Sequence, residues 1–174
     1  MLNKNLVSFL KKNKKNISKS KIICIGDIIL DHYINGKVER MSPEAPVPIL
    51  MMESQKYEIG GAGNVAKNIS NMGAKTTLIC LSGNDQSSVI VKKLLQKEKN
   101  IKSVSINVPN FKTPTKTRLI NKEDHLLRVD NENIYFKLIN KYKVLIIQHL
   151  KKEIKKNDVI VLSDYDKGLF NERF

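Results

Sequence analysis

Residues 58–74 read EIGGAGNVAKNISNMGA. Three of the four positions from Gly60 to Gly63 are glycine, and Asn64 follows directly. Apolar residues then recur at Val65, Ile69 and Met72, a spacing that predicts a helix over 64–72 with Gly73 as its stop. Glycines at the entry to a helix let backbone come close to something that is not protein, because no Cβ holds it away. A phosphate, a neutral polar ligand and the next strand are all open at this point.

Working outward, KIICIGDIIL (21–30) is a continuous apolar run ending near Gly26-Asp27, the mark of a central strand buried on both faces. KTTLICLSG (75–83) is another buried strand, and DVIVLSDYDKG (158–168) is a strand that opens into a glycine-containing loop. Helical spacing covers 86–98 and 135–155, and short β-type segments are expected near 103–108, 115–120 and 125–129. Buried strands alternating with helices imply an α/β fold, a mostly parallel sheet covered by helices. Residues 31–41 alternate and carry Asn35-Gly36, which predicts a hairpin turn there. Residues 42–54 hold three prolines, which suits an edge or flap strand. The expected organisation is a basic arm or amphipathic helix over 1–20, then a domain over 21–174 with a small inserted β lid at about 32–53.

With 174 residues, of which 41% are apolar, the chain is long enough for one ordinary core. No run approaches the ~18–20 apolar residues of a membrane span, and the basic N-terminus lacks an export-type apolar region. Cys24 and Cys80 sit inside apolar runs and read as buried, reduced residues, which suits a cytoplasm. His32, His125 and His149 are too far apart for a metal-ligand pattern, so no metal site is expected. The net charge of +14 raises a nucleic-acid hypothesis. The excess is scattered lysine without aromatic interleaving, so solvated faces are the preferred reading and no nucleic-acid partner is expected.

In an open parallel sheet, ligands bind at the carboxyl ends of the strands. Three polar clusters fall there: Asp27 and Asp31, the glycine loop, and Asp164 to Gly168 with Lys167. The loop is spelled GGxGN, neither a Walker loop nor GxGxxG. Asn64 both donates and accepts, and nearby aspartates accept from hydroxyls while repelling anions, so a polyhydroxylated ligand fits best. Lys116 and Arg118 alternate on one face of a predicted strand and Arg128 lies in the next; such cations suit a sugar phosphate. Lys167 reads as a substrate or phosphate contact.

The motifs GDIILDHY, ERMSPEAPVPIL, EIGGAGNVAKNISNMGAKTTLICLSGND, TPTKTRLI, LLRVDNE and LSDYDKG, in that order, resemble the first half of the ribokinase-like (phosphofructokinase-B) carbohydrate kinase family. Within it they are most similar to the branch that phosphorylates D-glycero-β-D-manno-heptose 7-phosphate, also found as the kinase half of bifunctional ADP-heptose synthases. The resemblance implies that the glycine loop holds the sugar: Asp31 accepts from its hydroxyls, and Gly60, Gly61 and Asn64 line it. It implies a lid over Tyr33–Met52 that closes on substrate and forms a homodimer contact, with ATP and Mg2+ used by the full-length enzyme. The family's catalytic base lies in a G-A-G-D motif in its second half, which this sequence does not contain. The expectation is therefore a truncated chain that carries the sugar-binding half, has its base beyond Phe174, and is inactive alone. A remnant that only binds sugar phosphate or dimerises is the alternative.

Overall fold

The computed structural model describes residues 4–133 and 136–170. After helix α1 (Lys4–Lys19), strand β1 (Lys21–Gly26) leads into β2 (Ile28–Met41) and β3 (Pro48–Gly61). Helix α2 (Ala62–Asn71), β4 (Lys75–Ser82), α3 (Gln86–Gln96) and β5 (Ile101–Asn107) follow. The chain continues through β6 (Thr115–Asn121), β7 (Asp124–Asn131), α4 (Phe136–Glu153), a 3-10 turn (Ile154–Lys156) and β8 (Val159–Ser163). Tyr135, at which the fourth helix was expected to start, lies outside the described residues, as do 1–3 and 171–174.

The strands form two four-stranded sheets. The core sheet has the order β5-β4-β1-β8, and each of its pairings is parallel. Alternation along β1 and β4 sends Ile23, Ile25, Ile79 and Leu81 to one face, where they meet Ile146 of α4. Cys24, Leu78 and Cys80 point to the other face, against Ala62 and Ala66 of α2 and Val91 and Leu95 of α3. Helices thus cover both faces, which is why these strands read as continuous apolar runs. Burial pushes the Cys24 thiol up to about 11 and Cys80 up to about 12, so both behave as inert core residues.

The second sheet has the order β3-β2-β6-β7 and corrects one expectation. The first strand ends at Gly26, where the sequence placed its end, and the chain passes through Asp27 into the other sheet at Ile28. The hairpin expected at Asn35-Gly36 is a bulge inside β2, where the register against β3 slips between those residues. The actual turn spans 42–47, closed by the Ser42 N–H donating to the Val47 carbonyl at 2.8 Å. Pro43 and Pro46 lie within that turn, where their missing N–H groups take no ladder bond away. The β segments expected near 115–120 and 125–129 are the other two strands of this sheet, with β6 running parallel to β2 and antiparallel to β7.

Helix termini follow local chemistry. Gly73, at φ +104°, ends α2, and its N–H donates to the Ser70 carbonyl at 2.9 Å. Asp85 caps α3 by accepting from the Ser88 N–H at 2.8 Å. The same carboxylate accepts from the Thr113 N–H at 2.7 Å, which ties α3 to the entry of β6.

Candidate functional site

The carboxyl ends of β1 and β8, the start of α2 and the base of the second sheet converge on one region. Gly61 stands at the N-terminus of α2 with φ +56° and ψ −139°, and no side chain caps the helix. The first-turn N–H groups of α2 therefore have no capping side chain, and Asn64 is exposed in that turn. Gly60 lies against Asp31: a Cβ there would overlap the Asp31 carboxylate. Carboxylate, glycine backbone and helix start thus share one small surface, able to offer acceptors and donors to a ligand rich in hydroxyls.

Strand register places the cations. Asp31 sits opposite Lys116 on β6, and Lys116 opposite Asp130 on β7; Tyr33, Arg118 and Arg128 form the next row on the same face. The Arg118 guanidinium donates to the Asp31 carboxylate at 2.6 Å, with both side chains about four-fifths covered. Its carbon also lies 5.2 Å from the centre of the Tyr33 ring. Arg128 makes a two-pronged contact with Asp130, at 2.9 and 3.1 Å. Lys167 donates to Glu132 at 2.8 Å, in a largely buried pair. Arg118, Arg128 and Lys167 are thus each held by a carboxylate of the chain, so a phosphate would share or replace these partners.

Asp27 has a different place from Asp31. It is 7% exposed, and its Oδ2 accepts from the Tyr165 N–H at 2.9 Å and the Lys167 N–H at 3.2 Å. Its carbonyl accepts from the Ala62 N–H at 2.9 Å. Asp27 therefore fastens the loop after β8 and the start of α2 to the end of β1, and its carboxylate is spent on backbone. The sequence analysis grouped it with the substrate contacts; a strand-end aspartate looks the same in sequence whether it faces a ligand or a loop. Two further participants were not foreseen: Glu132 as the partner of Lys167, and the Tyr33 ring beneath Arg118. Neither has a sequence signal, since both depend on which strand lies beside which.

Burial raises the Asp27 pKa despite the N–H donors of Tyr165 and Lys167, and the charge of Asp164 adds to the rise. A carboxylate with a raised folded pKa stabilises most below its ordinary value, about 4, and that contribution is lost as pH rises through the raised value. Asp27→Asn keeps an acceptor oxygen and cannot ionise. Its urea midpoint, compared with the parent chain at each pH, is expected to improve as pH climbs through this window. A difference that stays flat, or slopes the other way, would remove the buried carboxylate from this account.

Among the described residues, no three His, Cys, Asp or Glu side chains converge as a metal site.

A parallel core sheet with a β sheet rising from its carboxyl edge, over a glycine-led helix, is the ribokinase-like fold. A carbohydrate kinase from Agrobacterium tumefaciens shares it, with a TM-score of 0.63 at 19% identity over 82% of this chain and 45% of that one. Residues 19–172 match the pfkB family carbohydrate kinases, and the chain belongs to that family. It is 40% identical to the bifunctional protein HldE of Blochmanniella pennsylvanica over 90% of this chain and 32% of that protein. It is 34% identical to HldE of Bradyrhizobium diazoefficiens over 91% of this chain and 32% of that protein. The chain thus spans about a third of the length of these curated relatives.

Proposed function

We propose that this chain supplies the sugar-binding side of an ATP- and Mg2+-dependent kinase. Its substrate would be D-glycero-β-D-manno-heptose 7-phosphate, phosphorylated at the anomeric hydroxyl to give the 1,7-bisphosphate, a precursor of the lipopolysaccharide core. The observation that carries this reading is the Asp31 carboxylate, pressed against Gly60 beside the uncapped start of α2 and flanked by Arg118. A carboxylate accepts from paired hydroxyls, the exposed Asn64 donates to other oxygens, and the cations of β6 and β7 suit a phosphate at the far end of the sugar. Lys116, Arg118, Arg128 and Lys167 are the candidates for that phosphate.

On this reading the second sheet is the lid, and its closure would keep water from the transferring phosphoryl group. Leu127 and Val129 of β7 are 56% and 49% exposed, which supports a homodimer contact through the sheet. No helix among the described residues is long and apolar enough to cross a membrane, and the proposed place of action is the cytoplasm.

Calorimetry with the 174-residue chain tests the sugar site. Heptose 7-phosphate is expected to bind, and the unphosphorylated heptose about tenfold more weakly, as the loss of one charge-assisted contact predicts. A folded chain that takes up neither compound would sink the proposal.

A further inference from the structure

At the end of the core sheet opposite the candidate sugar site, the amino-terminal ends of β1, β4 and β5 border a cleft of about 400 Å3. Five lysines line it: Lys21, Lys75, Lys99, Lys102 and Lys156. They come from widely separated parts of the sequence, so the positive charge that reads as scattered along the chain is partly gathered here. Glu153 is the lining carboxylate, and Lys102 donates to it at 2.6 Å. Asp158 lies beside the cleft and accepts from the Lys21 N–H at 2.9 Å. Ammonium groups still outnumber these carboxylates.

Thr76 borders the cleft with its backbone: by strand alternation its buried side chain shares the face of Leu78 and Cys80, toward α2 and α3. Asn100 and Asn157 add amide groups to the wall, at the entry to β5 and between the 3-10 turn and β8.

We propose that this cleft is a binding site for a small anion carrying two or more phosphoryl groups, separate from the sugar site. The volume is several times that of one phosphate, and the five lysines come from the starts of β1 and β4, the turn before β5, β5 itself and the 3-10 turn, which favours a ligand with more than one charged group. Ammonium groups bind phosphate as point charges, without the planar matching that a guanidinium requires. The site does not depend on the kinase reading, since none of its residues belongs to the sugar site.

Inorganic pyrophosphate is the probe. Calorimetry at fixed ionic strength is expected to give a saturable one-to-one isotherm, and amide NMR shifts are expected to move at Thr76, Asn100 and Asn157 while Gly60, Gly61 and Asn64 stay still. The double change Lys75→Gln/Lys99→Gln, at two exposed positions, is expected to weaken binding about a hundredfold, from roughly tenfold per ammonium removed. The proposal is overturned by no saturable binding, by an unchanged affinity in the double variant, or by shifts centred on the glycine loop. It is equally overturned if a mixed-sequence oligonucleotide binds the lysines and pyrophosphate does not displace it, because the surface would then be a nucleic-acid contact.

Discussion

Gly61→Ala is expected to destabilise the chain by about 3 kcal/mol or more, the largest single effect at the site. Two costs combine. The residue adopts φ +56° with ψ −139°, a conformation nearly closed to side-chain-bearing residues. A Cβ would also overlap the Asp27 carbonyl and press on Ile29. That carbonyl accepts from the Ala62 N–H, so relief by moving it would loosen the start of α2. With a urea m-value of about 2 kcal/mol/M, the midpoint should fall by about 1.5 M with the slope unchanged. An unaltered midpoint would mean that the backbone at Gly61 does not take this conformation.

Asp31→Ala, assayed for the proposed kinase activity, is expected to have the second large effect. If Asp31 accepts from two sugar hydroxyls, removing a charged acceptor costs about 1.5–3 kcal/mol per bond, so kcat/KM should fall by about 10² to 10⁴. The fold should be affected much less, because Asp31 is part-exposed and Arg118, released from it, can be hydrated at its exposed edge. Thermal melting of the variant therefore separates a lost contact from a lost fold. Turnover that survives in a stable variant would take Asp31 out of the sugar site and leave its carboxylate as the partner of Arg118 alone.

The parts of this structure that were legible in the sequence are those whose burial leaves a local trace. Strands β1 and β4 lie between helices on both faces and read as apolar runs; α2 was announced by its glycine entry and its spacing. The second sheet was only half visible. Its strands are part-exposed, so β6 and β7 carry weak patterns, and their pairing with β2 joins segments some 85 residues apart, as with Asp31 and Lys116. Asn35-Gly36 misled for a chemical reason, because residues that favour tight turns also favour bulges. For the candidate site, the sequence offered residue types at strand ends and a glycine loop. What sequence could not supply was the division of labour between Asp27 and Asp31, four positions apart, one turned to backbone and the other to a guanidinium.

The single residue between β1 and β2 has a mechanical consequence. Asp27 is the whole connection between the two sheets at that point, and β3 passes into α2 at Gly61 with equally little slack. The second sheet is thus a cantilever with its fulcrum at these anchors, and its longest arms, β2 and β3, have 14 residues each, or about 45 Å at ~3.3 Å per residue. A swing of about 10° at the base would carry the far tip roughly 8 Å over that length, while the carboxylate of Asp31, close to the fulcrum, would hardly move. Leverage of this kind lets the outer end of the sheet sweep through a wide arc and leaves the groups nearest the glycine loop in register.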